Sequence, residues 1–163
     1  MSETVNLLQT FKFTVTLTRT SAGSTDRFIG DGAFSECSGL QLEADIREYL
    51  EGGRNDGVVR RVGRVKLVPI VLKRGMFSPG PRDNADTALW DWLTAMVSGA
   101  GVRRYNGEIV LHDPAKTRAH ATWTFERGLP MKVVGPTLNA RTGDIAIEEL
   151  HIAHEGLRLK GGS

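Results

Sequence analysis

Strict apolar–polar alternation is the feature that most limits what this chain can fold into. In "FKFTVTLTR" (11–19), Phe11, Phe13, Val15 and Leu17 fall on one face, with Lys12, Thr14, Thr16 and Thr18 on the other. That period of two belongs to a strand with one buried and one wet face. It returns in "LQLEADIREYL" (40–50), where Leu40, Leu42, Ala44 and Ile46 oppose Gln41, Glu43, Asp45 and Arg47. It returns again in "YNGEIVLHD" (105–113) and "RAHATWTFERG" (118–128), the latter grouping Ala119, Ala121, Trp123 and Phe125. "PAKT" between those two reads as a hairpin connection. "RVKLVPIVLKRG" (64–75) reads as a strand held at an edge or bulged at Pro69, which has no N–H to give a ladder. A last candidate strand lies in "DIAIEELHIAHEGL" (144–157). Ile145 and Ile147 face one way there, and Ala146, Leu150 and Ile152 are not all in phase with them, so its register stays open. The closing "LKGGS" reads as a frayed tail.

One segment has helical spacing. "DTALWDWLTAMVSG" offers Asp86 as N-cap, Gly99 as C-terminal stop, and Leu89, Trp90, Leu93, Met96 and Val97 on one stripe, predicting a helix over about 87–98. On that stripe Trp90 is expected in the core and Trp92 nearer an interface. Many strands, one helix, no repeat and no second block of composition predict a single mainly-β domain over 1–163, a sandwich or barrel with a flanking helix. A chain of 163 residues is long enough for a substantial core.

Composition then excludes several classes. A net charge of +2, with acids interleaved among the bases, lacks the imbalance of a dedicated nucleic-acid binder. A single cysteine, Cys37, excludes an internal disulfide framework and any CxxC metal site, and is expected to be a small buried thiol. The start "MSETVNLLQTFKF" has no signal-peptide pattern, and no run approaches the roughly 20 apolar residues of a membrane span. Synthesis and folding in the cytoplasm are therefore expected, with any export independent of a cleaved signal.

The stretch "EYLEGGRNDGVVRRVGRVK" (48–66) is the strongest functional candidate. It is not a phosphate loop, because Gly52 to Gly57 lacks the GxxxxGK spacing and leads toward another strand. Arg54, Arg60, Arg61 and Arg64 could neutralise nucleic-acid phosphates, although Tyr49 is the one stacking aromatic nearby. A nucleic-acid-binding β-barrel is therefore one rival reading, and a β-barrel hydrolase or small-molecule enzyme another. Other catalytic patterns fail on spacing. His151 and His154 point to opposite faces of a strand, as do Glu148 and Glu149, and no serine sits in a GxSxG elbow. His112 and His120 are isolated. No catalytic, cofactor or metal site is expected.

Taken in order, "FSECSGL", "EYLEGGRN", "LKRG", "LWDWL" and "ELHIAHEGL" resemble the tail tube proteins of contractile phages and the inner-tube proteins of extracellular contractile injection systems. The resemblance runs over nearly the whole chain. It implies two packed antiparallel sheets forming a barrel-like sandwich, with the helix at the side near the sheath. It implies six subunits per ring, joined edge to edge into an inner barrel, and rings stacked into a hollow conduit for effectors or DNA. Sheath, baseplate and cap proteins are the implied partners, in a phage tail or an injection particle acting outside the cell. An extended loop over about 51–64 would then reach a neighbouring copy. The implied assembly residues are Glu48, Tyr49, Glu51, Gly52, Gly53, Arg54, Asn55, Asp56, Arg60, Arg61 and Arg64. Glycine would supply the bend, and mixed charge would fix register between identical subunits.

Overall fold

A computed structural model describes residues 8–10, 12–20, 27–28, 34–50, 52–53, 57–78, 84–115 and 118–161. Their elements run β1 (Phe13–Arg19), β2 (Arg27–Phe28), β3 (Phe34–Ser38), β4 (Leu42–Tyr49), β5 (Val59–Leu67), β6 (Ile70–Gly75), α1 (Ala88–Val97), β7 (Tyr105–His112), β8 (Ala119–Val134), β9 (Ile147–Ala153) and β10 (Gly156–Gly161). Every pairing is antiparallel. The architecture is the mainly-β sandwich expected from the alternation, and among the described residues neither layer closes into a barrel.

Two layers share one long strand. The first half of β8 lies between β7 and β10, giving a layer in the order β2-β1-β7-β8-β10. Its second half, Leu129–Val134, pairs with β9 and continues the second layer, β8-β9-β6-β3. The strand changes layer where Arg127 takes a φ of +53°. That left-handed conformation costs an L-residue roughly 1–2 kcal/mol, and it is held from several sides. The Arg127 amide donates to Asn106 Oδ1 at 2.9 Å, its Nε donates to Glu155 Oε2 at 2.8 Å, and its carbonyl accepts from Arg104 Nη1 at 3.1 Å. The buried Phe125 ring fills the corner, and two glycines make room for it. A Cβ on Gly107 would come within 1.9 Å of that ring, and one on Gly128 within 2.7 Å.

Between the layers, Leu17, Ile109 and Phe125 meet Ile70, Leu72, Leu150 and Ile152. The helix seals this core with Leu89 and Trp92. Its N-cap is Thr87, yet Asp86 still serves the start: Oδ1 accepts the Ala88 amide at 3.0 Å. Gly99, at φ +75°, ends the helix as the sequence predicts. The tryptophans exchange their expected places. Trp92 is 4% exposed, stacks edge-on to Tyr105 with centroids 4.9 Å apart, and donates to the Arg103 carbonyl at 2.8 Å. Trp90 is 38% exposed and touches the interior through Nε1, which donates to Glu148 Oε2 at 3.1 Å.

Glu148 belongs to a buried ionic cluster. Arg74 on β6 and Glu148 on β9 are register partners, both buried, with Nε donating to Oε1 at 2.6 Å. Arg74 Nη2 reaches Asp86 Oδ1 at 3.0 Å, tying the helix start to the second layer. Phe34 and Phe77 lie 6.0 and 5.1 Å from the guanidinium. The Nη1 atom has no hydrogen-bond partner among the described residues. This cluster resolves the C-terminal register left open above. Glu148, Leu150 and Ile152 point inward, and Ile145 and Ile147 are exposed. An inward carboxylate breaks the apolar alternation, which is why the pattern alone gives two phases.

Two further boundaries differ from the sequence reading. The strand expected over 64–75 is two strands, β5 and β6, separated at Val68 and Pro69. The supposed tail is strand as far as Gly161, where β10 pairs with β8; the last two residues lie outside the described set. The exchange of tryptophan roles has a direct readout in equilibrium unfolding. Trp92→Ala should cost about 3–5 kcal/mol, whereas Trp90→Phe, losing one hydrogen bond, should cost about 1–3 kcal/mol.

Candidate functional site

The arginine-rich stretch forms half of a projecting hairpin. Among the described residues, strands β4 and β5 pair only with each other, as a separate two-stranded sheet continuing from β3 and β6. The loop expected over about 51–64 is therefore shorter, because Val59–Leu67 is strand. Gly52 and Gly53 lie in the turn, with Gly53 at φ +97°, a conformation that favours glycine. Glu51, Arg54, Asn55 and Asp56 lie outside the described residues.

The base of the arm is a tight crossing. Gly39, at φ +83°, joins β3 to β4, and a Cβ there would sit 2.1 Å from the Pro69 carbonyl oxygen. Pro69 lies in the break between β5 and β6, so both legs of the arm turn where their backbones touch. His154 supports the same point, with Nε2 2.9 Å from the Val68 carbonyl and Nδ1 3.1 Å from that of Gly156.

The arm has two unlike faces. Register pairs Leu42 with Leu67, Ala44 with Val65 and Ile46 with Val62, placing these six residues on one face. A bulge between Ala44 and Ile46 keeps Val62 and Val65 in phase despite their spacing. The face is uncovered: Leu42 is 60% exposed, Ile46 55%, Val62 72% and Val65 54%. The strand 40–50, expected to be half-buried, thus extends away from the core. The opposite face carries Glu43, Asp45, Arg47 and Tyr49 against Lys66 and Arg61.

Several charges expected to face another copy are paired within the arm. Arg60 Nε donates to Glu48 Oε1 at 3.1 Å, between register partners. Lys66 Nζ lies 2.7 Å from Asp45 Oδ1 and 3.8 Å from Glu43 Oε1, and the bond and charge of Asp45, with Glu43 behind, raise its pKa. Arg61 sits over the Tyr49 ring at 5.4 Å. Pairs this exposed contribute little stability each, but they favour one register of the hairpin. Arg64 is exposed at the bulge. The arm's cations are interleaved with acids, giving no continuous basic track of the kind a nucleic-acid strand follows.

At the foot of the arm an apolar groove of about 240 Å³ is lined by Phe13, Cys37, Leu40, Ile109, Leu111 and Trp123, among others. Burial pushes the Cys37 thiol up to about 11, so near neutral pH it stays protonated and a poor nucleophile. The groove therefore lacks an activated nucleophile at Cys37. His151 contacts Glu149 on the outer face, and His154 lies on the opposite, buried side. Among the described residues no group of three His, Cys, Asp or Glu could hold a metal ion, and no helix is long and apolar enough to cross a membrane.

The family described as T4-like virus tail tube protein gp19 matches residues 9–158. The chain belongs to that family. No curated protein matches significantly. Among solved structures, a chain of the anti-feeding prophage cap, described as the tube-terminating cap, superposes with a TM-score of 0.80 at 22% identity, covering 99% of this chain and 95% of that one. A chain of the PVC extracellular contractile injection system, from its sheath/tube terminator in the extended state, gives 0.78 at 23% identity over 98% and 100%. A chain of the PVC sheath-tube complex in the extended state gives 0.75 at 21% identity over 95% and 92%. These likenesses show a common fold.

The arm's pivot can be tested alone. Gly39→Ala should destabilise the protein by about 1–3 kcal/mol, and amide exchange should accelerate first in β4 and β5. Unchanged exchange there would mean that the crossing does not hold the arm. Cys37 should react with a maleimide at pH 7 far more slowly in the folded protein than in urea.

Proposed function

We propose that this protein is a non-enzymatic structural subunit of the tube of a contractile injection system or phage tail. Six copies form a ring, and rings stack into a hollow conduit for effectors or nucleic acid. The helix lies toward the sheath, and baseplate and cap proteins complete the assembly at its ends. The particle is put together in the cytoplasm and acts outside the cell. Membership of the tail tube family supports the tube role. The origin of the similar structures in cap, terminator and sheath-tube assemblies supports cap and sheath proteins as partners.

The observation that carries the assembly reading is the uncovered apolar face of the arm. An isolated two-stranded hairpin is marginal in water, and an apolar face of this kind marks a protein contact. In this reading the arm lies against a neighbouring copy. Its apolar face supplies the contact area, and Glu48, Tyr49, Arg60, Arg61 and Arg64, with the turn at Gly52 and Gly53, fit its rim. Glu51, Arg54, Asn55 and Asp56 belong to the same proposed contact.

Electron microscopy of the purified protein, alone and with its baseplate components, is the deciding experiment. Rings or tubes are expected, and a persistent monomer under both conditions would overturn the reading. Ile46→Asp combined with Val62→Asp should abolish assembly and leave the melting temperature of the subunit nearly unchanged, because both side chains are exposed in the monomer. Reversing Arg60 and Arg61 to Glu should weaken assembly more than folding.

A further inference from the structure

His154 is buried in the short turn between β9 and β10, and its ring joins that turn to the foot of the arm. Nε2 lies 2.9 Å from the carbonyl oxygen of Val68, in the break where β5 has ended and β6 has not begun. Nδ1 lies 3.1 Å from the carbonyl oxygen of Gly156, the first residue of β10. Phe125 packs beside the ring at a centroid distance of 5.9 Å.

Both partners are acceptors. A carbonyl oxygen has no proton to give, and a neutral imidazole has one N–H and one lone pair. A neutral ring therefore donates to one carbonyl and turns its lone pair toward the other, leaving a buried acceptor unsatisfied. The doubly protonated ring donates to both, and its charge strengthens each bond. The charged side chains around the turn are occupied elsewhere or exposed. Glu155 is held by Arg104 and Arg127, each at 2.8 Å, and Glu126 is exposed on β8 opposite Gly156. Among the described residues the ring has no carboxylate partner. Burial without a counter-ion opposes a second proton, while the two carbonyls favour it. Those opposed effects suit a proton that comes and goes, and histidine is the side chain whose ordinary charge change falls between about pH 5 and 8.

We infer that His154 is a proton-operated latch for the arm. With both nitrogens protonated, the ring fixes Val68 to the β9–β10 turn and so holds the arm's trailing leg, which ends one residue earlier at Leu67. With one nitrogen protonated, two carbonyls compete for a single N–H, and the leg is held for part of the time. The latched subunit binds one more proton than the released one, so lowering the pH tightens the arm and raising it loosens the arm. An arm already fixed has less ordering to undergo when it meets a neighbouring copy, so the same proton favours assembly. The latch belongs to a single subunit, and only its effect on assembly rests on the function proposed above.

Exchange mass spectrometry on dilute, unassembled protein tests the latch from about pH 5 to about pH 8. Deuteration of the imidazole carbon between the two nitrogens follows the protonation of His154, and backbone amide exchange follows the arm. After correction for the intrinsic pH dependence of amide exchange, protection of β4 and β5 should fall about ten-fold as His154 loses its second proton. His154→Gln, which cannot titrate, should remove that response, and His120→Gln should keep it. Should His154→Gln fail to fold, the coincidence of the two titrations in the unmodified chain still decides. Arm protection that stays level while the ring titrates would overturn the latch. So would a response that survives His154→Gln, or a ring that keeps one protonation state throughout. Ring formation at lower protein concentration in mild acid would extend the latch to assembly. If no rings form at any pH while the two titrations still coincide, the latch stands and the assembly role falls.

Discussion

The corner in β8 is the constraint on which the remaining architecture depends. One strand serves two layers, so the backbone has to turn at Arg127 and Gly128 without leaving the sheet. Phe125 occupies the inside of that turn, and Gly107 and Gly128 are the positions where a side chain would collide with it. Because the second half of β8 starts the layer that continues through β9, β6 and β3, the corner also sets where the arm emerges. A change in that angle would displace the arm and the free edges together.

Much of this was legible in the sequence because burial on one face leaves a period of two. β1, β7 and the first half of β8 carry the pattern plainly, with Val15, Leu17, Ile109, Leu111 and Phe125 inside. The helix and its glycine stop were equally readable. The failures share a cause, since periodicity reports which face is apolar and not what covers it. Leu42 and Ile46 alternate like core residues, yet they belong to a hairpin whose apolar face none of the described residues covers. The inward Glu148 reads as polar, and only its pairing with Arg74 on a strand 74 residues earlier explains its place. Trp90 and Trp92 both fit a helix near the core, and the sequence does not say which indole has the Arg103 carbonyl within reach.

The site was legible as a location more than as a mechanism. Sequence identified the stretch from Glu48 to Lys66 and its mixed charge. It did not reveal that Glu48 with Arg60, and Asp45 with Lys66, would be satisfied within one hairpin. Charge here acts first on the arm's own register. The apolar face opposite is the feature left exposed, and its significance appears only when strand pairing shows that, among the described residues, no third strand joins the arm.

The Arg74 cluster has a consequence for when a subunit becomes competent. Glu148 comes from β9 and Asp86 from the approach to the helix, so neutralising one guanidinium needs segments far apart in the chain to arrive together. A chain that enclosed Arg74 before Glu148 docked would hold a buried positive charge without its main counter-ion, at a cost of about 3–5 kcal/mol. That cost disfavours partly assembled layers, so the cluster pushes maturation toward an all-or-none event. A growing polymer would then draw on a pool of finished units, with few half-formed chains to poison its ends.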